Sequence, residues 1–186
     1  MAFTPPAELS TPRLLLRPWQ CSDLEAFARL NADPAVMEHL PARLDRGASD
    51  ALAERLGEAM TRDGWGLWAV EERATSAFIG FTGLGRTSFD AHFTPAVEIG
   101  WRLARSAWGQ GYATEAAAAA VSFAFDALAL EELVSFTAAG NHRSRAVMER
   151  LHMTHDPRDD FDHPRLPTGH PLSRHALYRL PKNPHR

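Results

Sequence analysis

The 186-residue chain has one cysteine, Cys21, so no internal disulfide can form and a disulfide-stapled scaffold is excluded. It has no apolar run near the roughly 18 residues that suggest a membrane span. Residues Met1–Ser10 carry no basic stretch followed by an apolar one, so no signal peptide is expected. Neither sign of charge dominates. Lys and Arg number 20 against 23 Asp and Glu, a formal net charge of −3 that excludes a general nucleic-acid binder. There is no internal repeat, and the one biased tract is the alanine run Ala116–Ala120. Seven of the nine His lie from His142 onward, yet His152/His155 and His163/His170 have neither Cys companions nor an HExxH helix, so no metal is expected. These absences point to a cytoplasmic protein with neither membrane nor nucleic acid as a partner.

What is present supports a packed core. The chain is 45% hydrophobic, with five Trp and ten Phe, and its length fits one domain spanning 1–186. Arg13–Trp19 reads as a strand ended by Pro18. Ser22-Asp23-Leu24-Glu25 offers a capped start for a helix over Asp23–Leu30, and Pro34 can open a short second helix through Met37 and Leu40. A third helix is expected over Ala48–Met60, with Leu52, Leu56 and Ala59 on one stripe. Strands follow at Gly66–Glu71, Ala77–Leu84 and Val97–Leu103, then a long helix over Gly111–Leu130 with a small, alanine-rich face. A strand at Leu133–Ala138, a helix at Asn141–His152, a proline-rich loop at Asp156–Leu172 and a strand at Arg174–Leu180 complete the pattern. The order implies a mixed α/β sheet (α+β by some schemes) with helices on both faces.

The most informative segment is Trp108-Gly109-Gln110-Gly111-Tyr112-Ala113-Thr114-Glu115-Ala116, a two-glycine turn between a strand and a helix. A helix N-terminus leaves several N–H groups unpartnered and carries the positive end of the helix dipole, a ready site for phosphate or pyrophosphate. Gly109 and Gly111 allow positive φ and close approach of a ligand. No Walker lysine follows Gly111, which argues against a P-loop nucleotide-binding protein.

With its neighbours, this turn resembles the GCN5-related N-acetyltransferases (GNAT), most closely the branch containing ribosomal-protein N-terminal alanine acetyltransferases. Glu98-Ile99-Gly100-Trp101 is similar to that branch's fourth strand, Trp108–Ala116 to its acetyl-CoA pyrophosphate loop, and Asn141 and Ser144 with Val147–Leu151 to its motif after the fifth strand. Thr11–Arg17 and Leu177–Leu180 also fit. Trp108 stands where the superfamily usually has Arg or Gln, and Leu151-His152-Met153 where it usually has Leu-Gly-Phe. The resemblance implies a mostly antiparallel twisted sheet of about seven strands, splayed into a V between the family's strands 4 and 5. It implies acetyl transfer from acetyl-CoA to a primary amine by direct attack in a ternary complex. The acceptor stays open between a protein N-terminus and a small molecule, and homodimer formation also stays open. A CoA-binding domain without catalysis is the alternative.

By the same resemblance, Gly100, Trp101, Arg102 and Leu103 receive the pantetheine arm, with main-chain N–H groups polarising the thioester carbonyl. The amides of Gly109, Gln110, Gly111, Tyr112 and Ala113 bind the pyrophosphate, and Trp108 and Thr114 are further cofactor-binding positions of that loop. Asn141 holds the pantetheine arm or caps its helix, and Arg143, with Arg105 and Arg145, is placed to meet the 3′-phosphate or stay solvated. Ser144 is the candidate proton donor to the CoA thiolate; the alternative is a first-turn serine satisfying the helix. Glu98 is the candidate base toward the amine, which a raised carboxyl pKa would suit; the alternative is a solvated or Arg-paired carboxylate. Asp159, Asp160, Asp162 and His163 are weighed as an acceptor-end cluster, Trp65 and Trp68 as core or as the cleft mouth, and Cys21 as too remote for a cysteine relay.

Overall fold

The computed structural model describes residues 6–182, so Met1–Pro5 of the N-terminal segment and the last residues of the 1–186 domain lie outside it. Alternation sets the sheet. In β2 (Leu14–Arg17), Leu14 and Leu16 are fully buried, while the short β1 (Leu9–Ser10) pairs along its edge. The antiparallel ribbon continues through β3 (Leu67–Glu72), β4 (Ala77–Arg86) and β5 (Val97–Leu103). β6 (Glu132–Ala138) then runs parallel to β5, and β9 (Arg174–Pro181) returns antiparallel to β6, bearing the two-residue strands β7 (Thr154–His155) and β8 (Phe161–Asp162). The sheet has nine strands rather than about seven, because β1, β7 and β8 are two-residue pairings too short to leave a pattern in sequence.

Helices cover both faces. α1 (Leu24–Ala32) and α2 (Arg46–Asp63) place Phe27, Leu30 and Ala53 against Phe81 of β4. On the other face, α3 (Tyr112–Asp126) lays fully buried Ala116, Ala117, Ala120 and Ala124 on β4 and β5. The missing side-chain volume brings the helix axis close to the sheet, so a larger residue there would overpack by about 1–3 kcal/mol. α4 (His142–Arg150) adds Val147 and Met148 to the same core. A third cluster, Phe93, Val134, Phe161 and Leu177, fills the far side of β6 and β9.

Three expectations need correction. No helix forms from Pro34: α1 ends at Ala32 with Asp33 in extended backbone, as a residue before proline favours, and the following residues make turns pinned by the Asp33 carboxylate accepting from Ala35 N–H. α2 starts earlier, at Arg46, because the Asp45 side chain accepts from the Ala48 N–H as an N-cap. α3 ends at Asp126 rather than Leu130, and Ala129 then takes φ +51°.

Candidate active site

β5 separates its side chains onto two faces. Ile99, Trp101 and Leu103 join the α3 core, whereas Glu98, Gly100 and Arg102 face the α1–α2 side. Close pairing of β5 to β4 depends on Gly80, whose φ is +144° and whose missing Cβ would sit 2.2 Å from the Arg102 carbonyl oxygen. On its other edge β5 registers with β6 at one position only, Glu98 with Val134. Just beyond, the Ser135 hydroxyl donates to the Ile99 carbonyl at 2.8 Å, and the strands part.

The direction of the free backbone groups follows from two bonds. The Ile99 carbonyl points to β6, and the Gly100 carbonyl points to β4, where the Thr82 hydroxyl donates to it at 2.9 Å. Strand backbone alternates, so the N–H groups of Trp101 and Leu103 face the gap, while those of Gly100 and Arg102 face β4.

A cavity of about 690 Å³ runs through this gap, from the α3–α4 face to the α1–α2 face. At its first end lies the glycine turn. Gly109 and Gly111 have φ of +75° and +78°, and Gly111 is the N-cap of α3. Among the described residues, the N–H groups of Gly109–Thr114 have no protein partner, while the Glu115 N–H closes the first helical bond onto Gly111. The turn is fastened from outside: Arg13 donates to Glu115 through Nε at 2.6 Å and to the Gln110 carbonyl through Nη1 at 2.9 Å, and the Tyr112 hydroxyl donates to Glu72 at 2.6 Å. These bonds fix the loop before any ligand arrives.

α4 supplies the next wall. The Asn141 side chain accepts from the Ser144 N–H and donates to the Thr137 hydroxyl at 2.9 Å, so it is the helix cap. The Ser144 hydroxyl lines the cavity and has no hydrogen-bond partner among the described residues. Arg143 stacks over the Trp108 ring at 4.6 Å and reaches Glu38 at 3.7 Å, joining α4 to the α1–α2 connection across the cavity mouth. The Trp108 indole N–H donates to the Leu103 carbonyl at 2.9 Å.

At the α1–α2 end the walls are Val36, Leu40, Leu52, Leu56 and Phe81. His39 lies in this wall between Val36 and Leu40, and two ionisable groups of β5 reach it from the sheet. Glu98 lines the cavity without a hydrogen-bond or ion partner among the described residues, and desolvation pushes its carboxyl up to about 8. Arg102 lies over the Phe81 ring at 5.2 Å and donates to the Asn31 side-chain oxygen at 2.6 Å; desolvation pushes its guanidinium down to about 10. Asn31, fully buried, is itself held by donation to the Ser49 hydroxyl at 2.9 Å.

The sequence-predicted residues converge on this cavity with one exception: Gln110 turns its side chain back to the Ser106 carbonyl and is not among the lining residues. The looser candidates lie elsewhere. Asp159 pairs with Arg179 and Asp160 with His155, and Trp68 is fully buried in the core. Arg145 bonds Tyr178 and the Ala139 carbonyl, and Cys21 is exposed at a short 3-10 turn. His152 adopts φ +62°, so the turn after α4 is kept without the family's glycine. Sequence reasoning missed Asn31, Ser49 and the lining residues between Ala35 and Leu40, because their role depends on where the α1–α2 connection lies in three dimensions. Among the described residues there is no metal-binding cluster, and no helix is long and apolar enough to cross a membrane.

Comparison with known proteins places this geometry. The acetyltransferase (GNAT) domain pattern matches residues 13–154. An FsC-acetyl coenzyme A-N(2)-transacetylase from Aspergillus fumigatus is 32% identical over 154 residues, 79% of this chain and 65% of that protein, so the chain spans just under two thirds of it. Among solved structures, an acetyltransferase from Agrobacterium tumefaciens superposes with a TM-score of 0.75 at 29% identity, covering 98% of each chain. RimJ of Mycobacterium smegmatis, determined in complex with CoA-disulfide, shares the fold with a TM-score of 0.71 at 21% identity, covering 94% of this chain and 86% of that one.

Proposed function

The chain belongs to the acetyltransferase (GNAT) domain family and uses acetyl-CoA as acetyl donor to an amine; from that premise, we propose that transfer is direct, with Glu98 as base and Ser144 as acid. The observation that carries this reading is the cavity through the β5–β6 gap, with unpartnered N–H groups at one end, the Ser144 hydroxyl beside the gap and an unpaired carboxyl at the other end.

The Gly109–Thr114 amides and the α3 dipole hold the pyrophosphate, and the pantetheine arm lies against the unpaired edge of β5. Trp101 and Leu103 N–H groups aim at the thioester oxygen, where negative charge develops as the amine attacks. The acceptor enters as an ammonium ion from the α1–α2 side. Glu98 takes one proton to free the nitrogen lone pair, directly or through a water. Attack on the carbonyl carbon gives a tetrahedral intermediate, whose collapse forms the amide and breaks the C–S bond. Ser144 donates its hydroxyl proton to the departing thiolate and recovers one from the nitrogen. The products are the acetylated amine, CoA thiol and a proton carried by Glu98. Gln110 and Tyr112 contribute their main chain, since their side chains are engaged in the loop's support.

Calorimetric titration with acetyl-CoA, followed by thiol-release assays on an amine panel, tests the reading. Gly111→Val puts a β-branched side chain at φ +78° and is expected to weaken acetyl-CoA binding at least tenfold. Undiminished binding by that variant would remove the pyrophosphate loop from the account.

A further inference from the structure

Among the described residues, Arg102 is a cation without an anion. It lies at the apolar end of the cavity, and its one side-chain hydrogen bond among the described residues goes to the neutral amide of Asn31. Another arginine of the sheet, the buried Arg17, meets two carboxylates, Asp23 at 2.8 Å and Glu71 at 2.7 Å. Asn31 is locked by Ser49, so it holds the guanidinium in place without neutralising it, and the remaining N–H donors stay available to the cavity. A guanidinium matches a carboxylate through two parallel hydrogen bonds, and such pairing is strongest where water is excluded.

The side-chain geometry adds spacing. Glu98 and Arg102 are four residues apart on one face of β5, about 13 Å between Cα atoms at the usual strand rise. Glu98 leans toward Gly100, with its Oε1 3.8 Å from where a Cβ on Gly100 would stand. Between the two ionisable groups lie Gly100, which leaves the floor open, and the apolar walls of Leu52, Leu56 and Phe81. The cavity volume of about 690 Å³ is that of a site for one drug-sized ligand, and here the thioester arm and the acceptor share it. The room left suits a small body rather than a folded chain.

Resting on the proposed acetyl transfer to an amine, we infer that the acceptor is a small amine with an apolar body and a carboxylate several bonds from the nitrogen, and that Arg102 binds this carboxylate. The amine meets Glu98 at the thioester, the hydrocarbon lies over Gly100 against the α2 leucines, and the carboxylate ends on Arg102. One guanidinium in an apolar pocket balances one negative charge, so a monoanionic carboxylate fits better than a phosphate.

The test is a thiol-release assay with acetyl-CoA and matched acceptors: 6-aminohexanoate against its methyl ester and against hexylamine. Wild type is expected to favour the acid in kcat/KM by about tenfold to a hundredfold, chiefly through KM, as a buried charge-assisted pair allows. Arg102→Met should bring the acid-to-ester ratio to about 1, and Arg102→Lys should restore part of it. Calorimetry of CoA-loaded protein with hexanoate gives a readout independent of turnover: binding to wild type, and none to Arg102→Met. If Arg102→Met does not fold, the wild-type ratio and the Arg102→Lys ratio carry the test. Equal kcat/KM for acid and ester in wild type, a preference that survives Arg102→Met, or better turnover of peptide N-termini than of any small acid would overturn the inference while leaving acetyl transfer intact. Absence of acetyl-CoA binding and of turnover with every amine would instead overturn the proposed function itself.

Discussion

Arg17 and Arg102 are both withdrawn from solvent in the same sheet, yet they keep opposite company. Arg17 gives a two-pronged pair of bonds to Asp23 and a further bond to Glu71, both carboxylates belonging to the fold, and these partners hold its guanidinium above its ordinary pKa. Arg102 has one neutral amide, and desolvation holds it below. The first arrangement is complete: charge, hydrogen bonds and packing close among β2, β3 and the turn before α1. The second leaves an electrostatic imbalance facing a cavity. A fold gains nothing from an unneutralised buried charge, so the imbalance is informative about what enters. Glu98 is the acidic counterpart, a carboxyl without an ion partner among the described residues, which desolvation holds neutral up to about 8.

Breaking the completed cluster should have the largest effect. Arg17→Met leaves the buried Asp23 and the partly buried Glu71 without a counter-charge, and a loss of about 3–5 kcal/mol is expected in urea unfolding. The same substitution at Arg102 removes a charge that no protein group balances, so its unfolding free energy should change by only about 1 kcal/mol. A similar loss at both sites would erase the distinction between them.

Glu98→Gln comes next. The rate should fall by about 10²- to 10⁴-fold, the span of general-base removal. In the wild type, kcat/KM should rise about tenfold per pH unit and level off above about 8, where the carboxyl is ionised. The stability consequence has a definite sign. The folded pKa is raised above the ordinary value, so the neutral carboxyl's favourable contribution is intact below about 4.5 and is lost as pH rises through about 8. Glu98→Gln should therefore melt above the wild type at pH 9 and alongside it near pH 4.

Asn31→Asp converts the second cluster toward the first. A carboxylate placed 2.6 Å from Arg102 would neutralise it, and the preference for acid acceptors should shrink toward equality while thermal stability holds or rises. A smaller effect, outside both clusters, calibrates the scale. His152→Gly relieves a side chain held at φ +62° and should add about 0.5–1 kcal/mol, read as a small rise in melting temperature.

The parts legible in the sequence were those governed by local rules. The two-glycine turn, the Asn141 cap and the alanine face of α3 follow from backbone freedom, side-chain capping and helical period, each carried by a few neighbouring residues. Strand positions were readable where hydrophobic alternation was long enough, as in β5, or where a β-rich run was bounded by turn residues, as in β4. The segment after Asp33 was not. Its apolar residues Val36, Met37 and Leu40 suit a helical stripe, but Pro34 and Pro41 bracket it, and its shape is set by turns and by the Leu44 N–H bonding the Asn31 carbonyl. Glu98 was legible as a candidate base, and Arg102 as part of the segment expected to receive the pantetheine arm, but not as a side chain facing the acceptor end. Its pairing with Asn31 joins residues 71 positions apart, which no local pattern encodes.

The parting of β5 from β6 gives the molecule an exposed strand edge on its inside. At a protein's rim such an edge invites a foreign strand; here helices and the cavity walls exclude one, and only a slender chain with its own amides can be seated. On the function proposed above, acetyl-CoA's arm is that chain, and the donor would complete the sheet as well as supply the acetyl group. Binding and folding are then linked: at a hundredfold excess over its dissociation constant, the donor would stabilise the native state by about 2.7 kcal/mol. The amides of Trp101 and Leu103, which face the gap, would then become interior hydrogen-bonded groups, and slowed exchange with solvent would report occupancy. On that reading, supply of the donor would bear on how much of the enzyme is folded, and so on how much survives proteolysis.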